Sequence, residues 1–229
     1  MTWPPTPEAL MAWQDELARA AAPPIGPGVG AIGGCFVCFP RGETGPGERG
    51  DRAWAAAAVT RRREDMQTVV VTGEAGAPYV PGLLALREGP LLEAAVRALG
   101  ARVDVLLVDA TGRDHPRRAG LATALGAVLD VPTVGVTHRP LVATGVWPED
   151  RRGAAAPLRI GDETVACWLR VRPGGRPLVV HPGWRTDLDT AIAVVLGATA
   201  RVRTPEPLRR ARTAARRARA VGAGPQDGG

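Results

Sequence analysis

The segment DVLLVDATG, residues 104–112, joins a continuous apolar run to a carboxylate and a short turn. An unbroken run of valine and leucine is typical of a parallel strand that is buried on both faces. Asp109 follows the run directly, and open α/β sheets place their ligand-binding groups at this carboxyl end of a strand. The segment predicts an α/β fold with a candidate site at Asp109. The alternative for Asp109 is a plain turn or helix-capping role.

The elements around this segment predict a mixed sheet. Strands are expected at residues 30–39, 54–61, 67–72, 132–136, 163–171 and 177–181. Helices are expected at residues 6–21, 91–99, 116–129, 186–196 and 207–220. The first three strands are separated by polar stretches and form an antiparallel meander. A meander that leads into parallel strands flanked by helices is a mixed α/β sheet.

The composition of the 229 residues excludes several kinds of active site. The chain contains no lysine, no serine and no asparagine, so all 29 of its Lys+Arg residues are arginine. A Ser-His-Asp triad, a Schiff-base lysine and a GxxxxGK phosphate loop are therefore absent. The gaps are typical of a GC-rich genome, so we interpret most of them as codon usage.

The net charge of +6 is concentrated at the C-terminal end of the chain. Residues 1–200 contain 21 arginines and 21 acidic residues, whereas residues 201–229 contain 8 arginines and 2 acidic residues. The helical spacing of Arg209, Arg212, Arg216 and Arg219 places them on one face. Such a face suits phosphate contacts, and the alternative is a solvated helix.

Three residues are the first candidates for chemistry. Glu88, in a proline-stiffened loop, and Asp109 come from different elements, and one or two carboxylates are what Mg²⁺ takes from a protein. His115 is a candidate general acid or phosphate contact, or else a surface histidine at a helix start.

The cysteine pattern indicates core packing. Cys35 and Cys38 form a CxxC, but residues three apart on a strand point to opposite faces, and no second pair completes a zinc site. An odd number of cysteines, no secretory signal and no bilayer-length apolar run predict a cytoplasmic protein without a membrane span.

Four blocks of sequence together resemble the endonuclease V family. They are PYVPGLLALRE (78–88), VDATGRDHPRRAGLA (108–122), DVPTVGV (130–136) and VRTPEPLR (202–209). The resemblance spans about residues 5–215 and implies a ribonuclease H-like fold. It also implies cleavage of a phosphodiester on the 3′ side of a deaminated base, inosine or deoxyinosine, in RNA processing or DNA repair. The implied cofactor is Mg²⁺, with Mn²⁺ as the other cation, and the implied partner is DNA or RNA.

The resemblance also implies roles for individual residues. Glu88 and Asp109 fall on the metal carboxylates, and His115 and His138 fall on active-site positions. The wedge beside the damaged base falls on Pro78, Tyr79, Val80 and Pro81. The lining of the base pocket falls on Gly82, Leu84, Ala110 and Leu121. Flipping a base into such a pocket costs a few kcal/mol, and less for a mispaired base.

Three positions depart from the family pattern. Phe36 stands where the first strand carries a metal-binding aspartate, and Asp51, across a long loop, is not expected to replace it. His138 stands in place of a lysine, and an unperturbed histidine is charged only below about pH 6.5. Trp184 stands in place of a histidine, with His181 three residues earlier.

These observations leave three hypotheses. The chain is a nuclease with an altered metal site, a non-catalytic protein that recognises the same nucleic acid, or a protein-interaction scaffold. In each case we expect one domain over residues 1–215 and a basic to Gly-rich, disordered tail over residues 216–229.

Overall fold

Eight strands form one mixed sheet in this protein, whose computed structural model describes residues 2–20, 30–41, 47–60 and 66–222. The strands are β1 (Ile32–Cys38), β2 (Arg52–Thr60), β3 (Gln67–Glu74), β4 (Val105–Val108), β5 (Thr133–Thr137), β6 (Ala155–Ile160), β7 (Glu163–Leu169) and β8 (Leu178–Pro182). Their order in the sheet is β3-β2-β1-β4-β5-β8-β7-β6. The expected meander, the parallel β1-β4-β5 centre and the mixed α/β class are confirmed.

Five helices cover the two faces of the sheet. They are α1 (Pro7–Arg19), α2 (Leu84–Ala98), α3 (Leu121–Leu129), α4 (Leu188–Gly197) and α5 (Glu206–Gly222). The first three contribute to one core cluster, which includes Cys35, and the last two pack on the opposite face, where Cys38 lies. The two cysteines thus face opposite sides of the sheet as core residues. Within the described ranges, no helix is long and apolar enough to span a bilayer.

Helix α2 begins seven residues earlier than the sequence indicated, so the prediction of residues 91–99 was too short. The sequence predicts a proline-stiffened loop for Glu88, but Glu88 and Pro90 both lie inside the helix. A proline leaves the carbonyl four residues before it without a helical partner, here that of Leu86. The backbone of Gly76 packs against this carbonyl, where any side chain at Gly76 would overlap it.

Other boundaries also differ from the prediction. Residues 116–120 form turns rather than the start of α3, since the φ of 57° at Arg118 lies in the left-handed region and interrupts a helix. Strand β6 was not predicted, since its small residues and Pro157 obscure the alternation of an edge strand. The expected tail boundary at residue 215 falls inside α5, whose residues 216–222 are helical, while residues 223–229 lie outside the described residues.

Candidate active site

A pocket of about 190 Å³ opens where β4 and β5 end. Asp109 and Ala110 follow β4, Thr137 ends β5, and Tyr79 and Gly82 come from the loop before α2. The full lining is Gln14, Tyr79, Gly82, Leu84, Ala85, Asp109, Ala110, Thr111, His115, Leu121, Thr137 and Leu141. Five residues that the family resemblance assigns to substrate binding lie in this pocket, beside Asp109 and His115. They are Tyr79, Gly82, Leu84, Ala110 and Leu121.

The loop that carries Tyr79 projects from the protein surface. The side chains of Tyr79 and Val80 are each 43% or more exposed, and Pro78 and Pro81 are exposed beside them. The loop turns back into the pocket at Gly82, whose φ of 80° lies in the left-handed region that favours glycine. An exposed apolar projection next to a pocket is the geometry of a wedge.

Three side chains hold the carbonyl oxygen of Gly82 in place. It accepts hydrogen bonds from Nε2 of Gln14 at 3.3 Å and from Nη2 of Arg117 at 3.1 Å. Nε2 of His115 lies 3.1 Å from the same oxygen, and Nδ1 of His115 accepts the backbone N–H of Arg117 at 3.2 Å. The His115 ring is therefore the neutral tautomer that donates from Nε2.

Burial also lowers the pKa of His115 to about 4, although the bond to Gly82 partly offsets it. Both ring nitrogens are engaged and the residue is only 3% exposed. This geometry favours a positioning role for His115, in the pocket wall, over the predicted role of general acid.

The two candidate carboxylates lie close enough to affect each other. Burial raises the pKa of Glu88 to about 8, Arg87 opposes this effect, and the Asp109 charge adds to it. Asp109 does not stand free, because its Oδ2 accepts a hydrogen bond from Nη2 of Arg212 at 2.9 Å. Helix α5 thus supplies a cation to the end of strand β4.

The same helix stacks two arginines on Phe36. The guanidinium carbons of Arg212 and Arg216 lie 5.2 Å and 5.5 Å from the centroid of the Phe36 ring, a cation–π distance. We call Phe36, Arg212 and Arg216 the arginine–phenylalanine cluster. Because Cys35 pairs with Val108 in the parallel register, Phe36 is level with Asp109, and the cluster lies at the end of β4.

The two remaining departures from the family pattern, His138 and Trp184, differ in their distance from the pocket. His138 is exposed at the end of β5, where desolvation and the charges of Arg203 and Arg212 lower its pKa. Trp184 packs at the other end of β5, where its backbone N–H donates to the hydroxyl of Thr133 at 2.8 Å. Thr133 and Thr137 are about 13 Å apart at the usual rise of a strand. Trp184 is therefore remote from the pocket and its departure from the family pattern does not alter it.

His181 and Asp51 do not replace the missing groups. His181 is fully buried on β8 with Nε2 2.9 Å from the hydroxyl of Thr137, and burial lowers its pKa to about 4. Asp51 forms an ion pair with Arg87 at 2.7 Å and accepts the backbone N–H of Glu48. Arg87 in turn donates to the carbonyl of Ala77 at 2.9 Å, which ties Asp51 to the loop that carries Tyr79.

Sequence reasoning missed three contributors to this site. Gln14 and Asp114 carried no signal, because an amide in a helix and an aspartate in a turn are common. Arg212 had a partial signal in the helical spacing of the arginines, but nothing in the sequence shows that this face of α5 meets Asp109, 103 residues away. The described residues contain no group of three or more His, Cys, Asp or Glu placed to hold a metal ion.

Replacing Glu88 with glutamine is expected to stabilise the protein at alkaline pH. The pKa of Glu88 is about 8 in the folded state, against 4.5 without the fold, so its contribution to stability is present below pH 4.5 and lost as pH rises through 8. Glu88→Gln should regain about 2 kcal/mol at pH 9, since the amide keeps some desolvation cost. Urea unfolding of both proteins at pH 5 and pH 9 measures this, with the exposed Glu149→Gln as control. An equal gain at both pH values would contradict it.

Comparisons with known proteins agree with the geometry. A family model described as Endonuclease V matches residues 27–213. An endonuclease V of Streptomyces avermitilis is 39% identical over 223 residues, which cover 94% of this chain and 93% of that protein. A crystal structure of an endonuclease V from Streptomyces avermitilis has a TM-score of 0.84 and 38% identity, and the match covers 96% of each chain.

A more distant structure contains nucleic acid. The endonuclease V of Ciona intestinalis was crystallised with a 23mer DNA containing an inosine followed by a ribo-adenosine. It matches 94% of this chain and 99% of its own chain with a TM-score of 0.75 and 22% identity. At this identity the likeness shows the fold alone.

Proposed function

The chain belongs to the endonuclease V family, and on this premise we propose that it recognises a deaminated base in nucleic acid. The base of inosine or deoxyinosine enters the pocket between Tyr79 and Leu121. The observation that carries the proposal is the pocket itself, in which the wedge and the lining residues of the family meet at the end of β4.

The lining of the pocket suits a planar base. Leu84, Ala85 and Leu121 supply apolar walls, and polar side chains such as Gln14 and Thr137 line the same space, a combination that is typical of small-molecule sites. The exposed ring of Tyr79 stands at the entrance, where it can stack on bases of the strand from which the target base has left. The three bonds to the Gly82 carbonyl keep the entrance loop in shape before nucleic acid arrives.

The residues present do not fit the divalent cation that the family resemblance implies. A cation at Asp109 would have to compete with the guanidinium of Arg212, which already binds Oδ2. Phe36 offers an apolar ring where the family has a carboxylate, and the neighbouring Arg216 adds a second positive charge. We therefore propose recognition without metal-dependent cleavage as the main function.

Hydrolysis of the neighbouring phosphodiester is the second candidate function. It is favoured by one observation, the persistence of Glu88 and Asp109 as an interacting carboxylate pair beside the pocket. The relatives that the chain matches are named endonuclease V. Among the described residues, the protein-interaction scaffold is supported only by exposed apolar side chains such as Val146 and Trp147.

One experiment tests both functions. Fluorescein-labelled oligonucleotides that differ only in inosine or adenosine at one position are titrated with the full chain, and the same samples with Mg²⁺ or Mn²⁺ are run on a denaturing gel. We expect at least about tenfold preference for inosine without nicking. Tyr79→Ala should lose about tenfold in affinity for the inosine strand, because base stacking is worth about 1–3 kcal/mol.

The controls for this experiment separate the outcomes. Tyr79→Phe keeps the ring and should bind normally, and Val146→Ala removes an exposed side chain that does not line the pocket. Nicking that is lost in Glu88→Ala would establish hydrolysis as the function. Equal affinity for the two oligonucleotides would contradict base recognition.

A further inference from the structure

Helix α5 holds its arginines in a fixed position on the sheet. The inner face of the helix is buried at Leu208, Ala211 and Ala215. The helix also lies so close to β1 that a Cβ at Gly34 would be 2.5 Å from the backbone nitrogen of Leu208. Close packing of this kind leaves little freedom to the helix. The guanidinium groups on its inner edge are therefore part of the rigid structure at the end of β4.

The arginines of α5 differ in how far their charge is neutralised. Arg209 and Arg210, in the first turns, both bind Glu206 at 2.6 to 2.9 Å. Arg216 is exposed and, in the part of the chain that the structure describes, lies on Phe36 without a carboxylate at ion-pair distance. The uncompensated charge is thus next to the pocket rather than at the beginning of the helix.

Arg212 retains hydrogen-bonding capacity beyond its ion pair. It uses Nη2 for Asp109, while its Nε is buried without a hydrogen-bond partner among the described residues. A guanidinium has five N–H donors in a planar fork that matches phosphate oxygens. A buried donor without a partner costs free energy, which a bound acceptor oxygen would recover.

We propose that the arginine–phenylalanine cluster is a phosphate site that takes the place of a divalent cation. It binds a phosphodiester of the nucleic-acid backbone, next to the nucleotide whose base occupies the pocket, and it needs no metal. Asp109 fixes this position, because it lines the pocket and also accepts the hydrogen bond from Arg212. The inference rests on the proposed function, since the base in the pocket brings the phosphate to the cluster.

A second cavity extends the basic surface along α5. A pocket of about 330 Å³ is lined by Pro40, Arg41, Trp54, Arg216, Arg219 and Ala220. Arg216 therefore contributes to both the cluster and this pocket. On this proposal the backbone of a bound strand continues from Arg212 past Arg216 towards Arg41 and Arg219.

The test measures binding of an inosine oligonucleotide by anisotropy in EDTA and in Mg²⁺. We expect equal affinity in the two buffers for the full chain. Arg212→Ala and Arg216→Ala should each weaken binding about tenfold, and each should reduce the slope of log K against log salt by about 0.7 to 0.9. Arg210→Ala, whose side chain is bound to Glu206, is the matched control and should bind as the unchanged protein does.

Further measurements distinguish the proposed phosphate site from a general effect of charge and from a site for a free nucleotide. Arg212→Lys keeps the charge and solubility but not the fork, and should lose part of the affinity while its thermal melting stays normal. Inosine monophosphate and inorganic phosphate are added as competitors, and we expect both to compete poorly with the oligonucleotide. Competition by the monophosphate at the concentration of the oligonucleotide would assign the site to a free nucleotide and overturn the proposal.

Mn²⁺ binding, measured by calorimetry, gives a readout independent of nucleic acid. We expect no binding to the unchanged protein and measurable binding to the double variant Phe36→Asp with Arg212→Ala, which gains a carboxylate and loses the competing cation. Tight binding of Mn²⁺ by the unchanged protein, or binding of inosine oligonucleotides only in Mg²⁺, would overturn the inference.

If inosine preference persists while Arg212→Ala and Arg216→Ala bind normally, the cluster proposal fails and the proposed function stands. If inosine preference itself is absent, the proposed function fails.

Discussion

Asp114→Ala is expected to lower the melting temperature by about 10 °C, which corresponds to about 4 kcal/mol for a chain of this size. Asp114 is fully buried, and its carboxylate accepts the backbone N–H groups of Leu141, Val142 and Ala143 at 2.7 to 2.9 Å. Alanine would leave all three donors without an acceptor. Because Leu141 lines the pocket, inosine binding should weaken as well, at temperatures where the variant is still folded.

Differential scanning calorimetry measures this effect. The matched control is Asp150→Ala, since Asp150 also accepts a backbone N–H, that of Gly174, but its side chain is 59% exposed. The control should cost less than about 1 kcal/mol, because water replaces the lost acceptor. A decrease in melting temperature of similar size in both variants would contradict the prediction, because it would show that burial of the Asp114 hydrogen bonds does not affect stability.

Gly135→Ala is expected to cost at least about 3 kcal/mol and to abolish preference for inosine. Gly135 lies on β5 between Val108 and His181, with the turn after β4 folded over it. A methyl group there would overlap the carbonyl oxygen of Ala110 and lie 3.2 Å from the nitrogen of Gly112. The turn that carries Asp109 and Ala110 would have to move away from the pocket.

Chemical unfolding and the inosine titration together test this prediction. Gly197→Ala, at the end of α4, is the control, because nothing lies within 4 Å of a Cβ built there. It should leave both stability and binding unchanged or raise stability slightly. Normal inosine binding by a folded Gly135→Ala protein would show that the turn after β4 does not form the base pocket.

The central part of this fold was predictable from local sequence. Two continuous apolar runs, the one before Asp109 and the one at residues 132–136, indicate strands that are buried on both faces. Such strands lie in the middle of a sheet. The start of α2 was not predictable in this way, because Pro90 is a helix breaker by local propensity and yet lies inside the helix. Strand β6 was also not predictable from local propensity. Its small residues have little preference for a strand, and packing against their neighbours places them at the edge of the sheet.

The site was predictable in its positions but not in its charge. Matching motifs placed Tyr79, Asp109 and Leu121 together, and the structure brings them to one pocket. The ion pair between Asp109 and Arg212 depends on how α5 crosses the sheet, which no local pattern encodes. Position in a motif also overstated the importance of Trp184, which lies at the far end of β5.

The position of Arg212 between Phe36 and Asp109 also restricts the order in which such a site can arise by mutation. With an aspartate at position 36, an arginine at 212 lies between two carboxylates, and neither carboxylate is without a nearby cation. With phenylalanine at 36 and no arginine, Asp109 stands beside an apolar ring without a cation. The two positions are therefore epistatic, and the path in which the arginine comes first keeps each intermediate protein stable.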